Sequence, residues 1–257
     1  MRSLAEKADV VGAFLQSTNT EEVRNVFGMP PDELLDAMNC SHLKGKVLVQ
    51  ILKPVYGLTV APRRWWQQVC KDFLRLGWIQ SKVEPCFWYV LDKLTAGGCR
   101  PIALLIVHVD DFLISGNPKD QRFQQLRTGL LKLYEWQPWE RGSFEQTGSS
   151  VEQLRDGDFR ITQPRFAESV GPITVDRSRR NQPEQETDAR EKTALRALLG
   201  AVLWRASQSA PWLSVVLSFL LSEVPKSTVA TPHEANKLLR SMRRTAQLPL
   251  RIFGHRG

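Results

Sequence analysis

Residues 102–116, "IALLIVHVDDFLISG", decide how this chain is read. Two apolar, β-prone runs flank the adjacent carboxylates Asp110 and Asp111, which predicts a buried hairpin with acids at its tip. A two-residue hairpin turn favours Asn-Gly or Asp-Gly because its central residues need positive φ, and Asp-Asp supplies no glycine. Neighbouring like charges repel strongly where solvation is poor. Either these acids are solvated at an exposed turn, or a divalent cation lies between them and cancels the repulsion. A third acid from elsewhere in the chain would favour the cation.

The bulk composition narrows the setting. With 257 residues, 42% hydrophobic and 24% charged, the chain can bury a core as one large domain or two small ones. Its net charge of +8 favours a polyanionic partner, nucleic acid or an anionic membrane. Cys40, Cys70, Cys86 and Cys99 form no C-x-x-C pair, which argues against a zinc module or a secreted disulfide framework. Reduced thiols in an intracellular compartment, cytoplasmic or nuclear, are the expectation. No signal-peptide pattern opens the sequence. The longest apolar run, "PWLSVVLSFLLSEVP", falls short of the ~20 residues of a membrane span, so no membrane partner is expected.

Outward from the acidic hairpin, "ADVVGAFL" predicts a strand beginning near Ala8, and "KVLVQILK" alternates as a strand. Between them, residues 19–45 are mixed and turn-rich, broken by Pro30-Pro31. Over residues 61–76 the apolar pairs Trp65-Trp66, Val69-Cys70 and Phe73-Leu74 alternate with polar pairs, the spacing of an amphipathic helix. Pro62 is tolerated in its first turn and Gly77 closes it; Trp65 and Trp66 then belong to packing. Residues 78–90 read as extended, and residues 118–136 as a helix packed through Phe123, Leu126, Leu130 and Leu133. "SSVEQLRDGDFRITQ" reads as a hairpin turning at Asp156-Gly157. Residues 176–192 are almost wholly polar, a linker or long surface loop, and helices are expected near 195–205, 212–223 and 232–245. The fold class is therefore α+β: an antiparallel sheet with packed helices, then a helical C-terminal region.

Asp9 supplies the third acid. With Asp110 and Asp111 it suggests three carboxylates at neighbouring strand ends, a ligand set for two Mg²⁺ ions roughly 3.5–4 Å apart. The blocks "DVVGAFL", "LKPVYGLTVAPRRWW", "SKVEPCFWYV" and "LLIVHVDDFLISG", in this order, closely resemble the reverse transcriptase of copia-type LTR retrotransposons. There the blocks read approximately D-V-x-x-A-F-L, S-L-Y-G-L-K-Q-A-P-R-x-W, S-x-x-D-P-C-L-Y and Y-V-D-D-x-L-I. The later stretches "LRALLGAVLWRASQSAPWLSVVLSFLLSEV" and "HEANKLLRSMRRT" also resemble the family, less tightly.

The resemblance implies a polymerase palm over residues 1–164 and a helical thumb or connection region over 165–257, with the polar linker 176–192 inside it. It implies RNA-directed DNA polymerase activity, a nucleotidyl transfer that extends a primer 3′ end with deoxynucleoside triphosphates on an RNA or DNA template. Asp9, Asp110 and Asp111 take the catalytic positions as ligands of two Mg²⁺ ions, for which Mn²⁺ can substitute; Asp9 and Asp110 bridge both ions and Asp111 supports them. Phe14 falls where an aromatic ring gates against the sugar 2′-hydroxyl, although a Phe in a strand is also ordinary core. Tyr56 and Gly57 match a pair lining the nucleotide pocket, and Arg63 matches an arginine that could meet phosphate or simply be solvated. Trp139 and Phe144 fall where the family grips the primer. Arg240, Arg243 and Arg244 either touch the nucleic-acid backbone or form a solvated basic helix face.

The departures bear on activity. His108 stands in place of the Tyr of Y-V-D-D, Thr59-Val60 replaces Lys-Gln, and Gln16-Ser17 lacks the expected small Gly. Eight residues precede Asp9, whereas the family has a basic fingers region there that holds the triphosphate. The expectation is a truncated or degenerate copy crippled as a polymerase. Its rivals are a non-catalytic nucleic-acid-binding remnant and, further off, a metal-dependent nuclease using His108 as base.

Overall fold

The hairpin forms as expected, and strand alternation around it explains the first half of the molecule. In the computed structural model, which describes residues 3–17, 25–93 and 98–254, the chain divides into two compact units, Met1–Arg141 and Gly142–Gly257. The first unit contains β1 (Leu4–Asp9), α1 (Ala13–Gln16), β2 (Phe27–Gly28), α2 (Asp32–Ala37), β3 (Val49–Gln50), α3 (Ala61–Arg75), β4 (Ile79–Gln80), β5 (Phe87–Lys93), β6 (Cys99–His108), β7 (Asp111–Gly116), α4 (Gln121–Leu131) and β8 (Glu140–Arg141). Six of the strands form one sheet in the order β4-β5-β6-β7-β1-β8, and every pairing in it is antiparallel.

Alternation then assigns the faces. Val107 lies opposite Phe112, Leu105 opposite Ile114, and Ala8 opposite Phe112, and all of these side chains are buried. Antiparallel partners point to the same side of a sheet. On that side they meet Trp65, Val69 and Phe73 of α3 and Phe123 and Leu130 of α4 in one core. The helix pattern read from the paired apolar residues is the correct one: α3 spans Ala61–Arg75 with Pro62 in its first turn. The close helix–sheet contact also requires Gly116. A Cβ there would lie 2.2 Å from the Phe123 ring and 2.8 Å from the Ile102 carbonyl oxygen.

The second unit contains β9 (Ser143–Gln146), β10 (Ser149–Gln153), β11 (Phe159–Thr162), α5 (Pro164–Ser169), α6 (Ala189–Gln208), α7 (Ser214–Glu223), α8 (Ala230–Arg244) and β12 (Leu250–Ile252). Its sheet runs β12-β11-β10-β9, while Leu195, Leu199 and Val202 of α6 pack with Leu217 of α7 and Leu239 and Met242 of α8. Arg205, fully buried, donates to the carbonyls of Met242 and Thr245, so a cation caps the C-terminal end of α8.

Several boundaries differ from the sequence reading. The first strand ends at Asp9 instead of starting beside it, because Gly12 takes φ 53° and residues 13–16 turn into a short helix. "KVLVQILK" yields only the two-residue β3, paired with β2. Of the turn-rich stretch, residues 19–24 lie outside the described residues. The compact units part at 141/142 rather than at 164/165. The cause is β12, unrecognised in the sequence, which pairs with β11 and ties residues 143–162 to the C-terminal helices. The last residues of the polar segment are helical: Asp188 caps α6 and exchanges hydrogen bonds with Glu191, which Arg179 holds at 3.0 Å.

Gly116→Ala is expected to destabilise the protein by about 1–3 kcal/mol, the cost of overpacking against Phe123 and a carbonyl. Urea denaturation would show this as a lower midpoint; an unchanged midpoint would mean that α4 shifts away from the sheet without cost.

Candidate active site

The face of the sheet opposite the helices carries the acids. Asp9 lies directly across from Asp111 in the β1–β7 ladder, and Lys7 lies across from Leu113. Residues 7 and 9 share a face by the two-residue period of the strand. Lys7 Nζ sits 2.8 Å from Asp9 Oδ2 and 2.9 Å from Asp111 Oδ1, its side chain 9% exposed. One buried ammonium therefore bridges the two carboxylates. Two unit charges about 4 Å apart interact by about 4 kcal/mol at an effective dielectric of about 20. Two attractions at contact distance outweigh the single repulsion between the acids.

Proton affinities follow from this arrangement. Burial and a hydrogen bond with Asp9 together push Asp111 up to about 6, against the lowering effect of Lys7. Burial pushes Asp9 the same way, but hydrogen bonds with Asp111 and Lys7 outweigh it and hold the carboxyl below its usual range. For Lys7, burial favours the neutral amine, yet the hydrogen bonds to Asp9 and Asp111 win and raise its proton affinity. Asp9 Oδ1 is buried with no donor among the described residues, an acceptor that a hard cation or a shared proton could satisfy.

Asp110 stands apart from this pair. It occupies the two-residue turn with Val109, and its carboxylate accepts a long 3.4 Å hydrogen bond from Tyr56 Oη. The residue that Lys7 bridges to Asp9 is Asp111, which the strand register places opposite it. Among the described residues, no three His, Cys, Asp or Glu side chains gather as a metal-holding group. The carboxylates of Asp9 and Asp111 are of the right chemistry for a hard cation, but Lys7 lies between them and Asp110 needs a side-chain rotation to join them.

The turn itself is strained. Val109 takes φ 59°, a conformation in which β-branched residues are outliers, where the turn would favour glycine. It is held by Trp65, whose indole Nε1 donates to the Val109 carbonyl at 2.6 Å from α3. Trp65 is thus core, as read, and also the clamp that fixes the acidic tip.

The other residues singled out fall in both units. Phe14 is 5% exposed in α1, its ring centroid 4.5 Å from that of Tyr56, which is exposed. Gly57 has φ 92° with open space around the Cβ it lacks, so its backbone conformation requires glycine, and not a close neighbour. Arg63 is exposed in the first turn of α3. His108 is exposed and lies across from Asp111 in the β6–β7 ladder. Trp139 packs against Trp136 at 5.1 Å, with Arg127 over its ring, and Phe144 is buried at 4% in the second unit, leaving little of its ring to grip a primer. Arg240, Arg243 and Arg244 are exposed on α8, Arg243 donating to the Val170 carbonyl. Sequence reasoning missed Lys7, although its place two residues before Asp9 on a strand was signal enough.

No protein-family model matches the chain. Over 109 residues, 42% of this chain, it is 32% identical to the "Retrovirus-related Pol polyprotein from transposon RE2" of Arabidopsis thaliana. Over a stretch of the same length it is 31% identical to the corresponding polyprotein from transposon RE1 of that plant. Over these residues the chain is similar to Pol polyproteins of two plant transposons. It spans about 6% of the length of those curated relatives. Among the described residues, no helix is long and apolar enough to cross a membrane.

Two substitutions test the clamped turn. Val109→Gly is expected to raise unfolding stability by about 0.5–1 kcal/mol, because relief of the positive φ exceeds the entropy cost of glycine. Trp65→Phe is expected to lower it by about 1 kcal/mol or more through loss of the indole hydrogen bond. Chemical denaturation reads both, and a destabilising Val109→Gly would mean the turn carries no strain.

Proposed function

We propose that this chain is the palm-bearing portion of a copia-type reverse transcriptase, an RNA-directed DNA polymerase that extends a primer 3′ end with deoxynucleotides. The observation that carries the reading is the cross-strand pair Asp9–Asp111, with Asp110 next to it in the β6–β7 turn. Asp9, Asp110 and Asp111 would hold two Mg²⁺ ions, or Mn²⁺ in their place. When bound, such ions activate the 3′-hydroxyl and stabilise the leaving pyrophosphate. Tyr56, hydrogen-bonded to Asp110 and in tilted ring contact with Phe14, would form the wall of the deoxynucleotide pocket. Buried Phe14 backs that wall and sets how far the ring of Tyr56 can retreat from a sugar. Arg63, exposed on α3, is available for a phosphate of the template or the nucleotide.

A second reading, a nucleic-acid-binding remnant without catalysis, is favoured by one observation: Lys7 already lies between Asp9 and Asp111 and offsets part of their charge. The net charge of +8 and the exposed arginines of α8 would then supply salt-dependent, sequence-independent affinity.

Primer extension on an RNA template with Mg²⁺ or Mn²⁺ separates the two. The polymerase reading expects extension by the wild type and a fall of about 100-fold or more in Asp110→Asn, in line with loss of a large electrostatic contribution. No extension, with nucleic-acid binding that weakens as salt rises, would leave the remnant reading standing.

A further inference from the structure

The contacts of Lys7 point to a role that neither the polymerase nor the remnant reading assigns. We infer that Lys7 is a tethered counter-ion that competes with a divalent metal for the Asp9–Asp111 carboxylates, so that metal binding requires its amine to leave. The inference rests on the proposed metal site and concerns how that site is controlled.

Three observations support it. The ammonium lies within 2.9 Å of an oxygen on each carboxylate, between the two groups that a metal would have to bridge. Lys7 reaches them from β1 itself, two residues before Asp9, so its effective concentration is fixed by the strand and does not depend on solution conditions. Its side chain is long and flexible, and β1 is paired on both sides by β7 and β8, so the amine can swing out without disturbing the ladder. A metal ion therefore meets a site whose competent form, with the amine displaced, is a minor one, and its apparent affinity falls by that fraction. The one acid Lys7 does not touch, Asp110, is the one tied to Tyr56, so metal entry requires two local changes: departure of Lys7 and rotation of Asp110.

The test is Mn²⁺ binding by electron paramagnetic resonance, comparing the wild type with Lys7→Met and Lys7→Arg. Methionine keeps an unbranched chain of similar length and removes the charge; arginine keeps the charge. Lys7→Met is expected to bind Mn²⁺ about tenfold or more tightly than the wild type, and Lys7→Arg no more tightly. A second readout uses the wild type and so does not depend on folding of the variant: acylation of Lys7 by an N-hydroxysuccinimide ester, followed by peptide mass spectrometry. Labelling of Lys7 should rise when Mn²⁺ is added. Equal Mn²⁺ affinity in the wild type and Lys7→Met, with labelling indifferent to Mn²⁺, would overturn the role of Lys7 while leaving the metal site intact. Absence of Mn²⁺ binding in every form would overturn the metal site and this inference with it.

Discussion

Two carboxylates face each other across one register position of the central sheet, and a positive charge has to lie between them. The pairing of Asp9 with Asp111 is forced by the β1–β7 ladder, which also seats Ala8 against Phe112 and so fixes the buried side of the same two strands. A slip by one residue would turn the acids into the core and the core residues outward. The core under α3 and α4 thus specifies the acid pair: the packing that stabilises the unit also sets the repulsion, and Lys7 relieves it. The opposite face of β1 solves a similar problem, since Glu6, 2% exposed, is held at 2.7 Å by Arg127 from α4.

The turn between β6 and β7 links this constraint to the helices. Its φ strain at Val109 persists because Trp65, locked in the core at 1% exposure, holds the Val109 carbonyl. The tip that presents Asp110 is therefore positioned from inside the molecule, by a helix on the other side of the sheet. Tyr56 adds only a long contact from the exposed side, so the turn backbone is fixed while the Asp110 carboxylate remains free to reorient.

Much of this was legible in the sequence where one periodicity dominated. The alternation of residues 102–116 and the paired apolar residues of 61–75 gave the hairpin and α3 with nearly correct ends. The acids at the hairpin tip and the buried place of Trp65 followed from the same patterns. The reading lost ground where short-range and long-range forces compete. "ADVVGAFL" contains β-branched residues that favour a strand, but Gly12 in the left-handed region redirects the chain into a helix just after Asp9. β12 is three residues long and pairs across about ninety positions of sequence, which no local pattern reveals. Lys7 was visible two residues before Asp9, yet its significance needed the register that brings Asp111 opposite.

The most direct test of the account is an amine-selective ¹H–¹⁵N spectrum of the metal-free protein, labelled at lysine Nζ. A buried ammonium shared by two carboxylates exchanges its protons slowly. The account predicts one protected ammonium resonance that disappears in Lys7→Met and weakens in Asp9→Asn. Identical lysine spectra for the wild type and Lys7→Met would contradict it, because the amine would then be free in solvent and the Asp9–Asp111 pair would be balanced by something else.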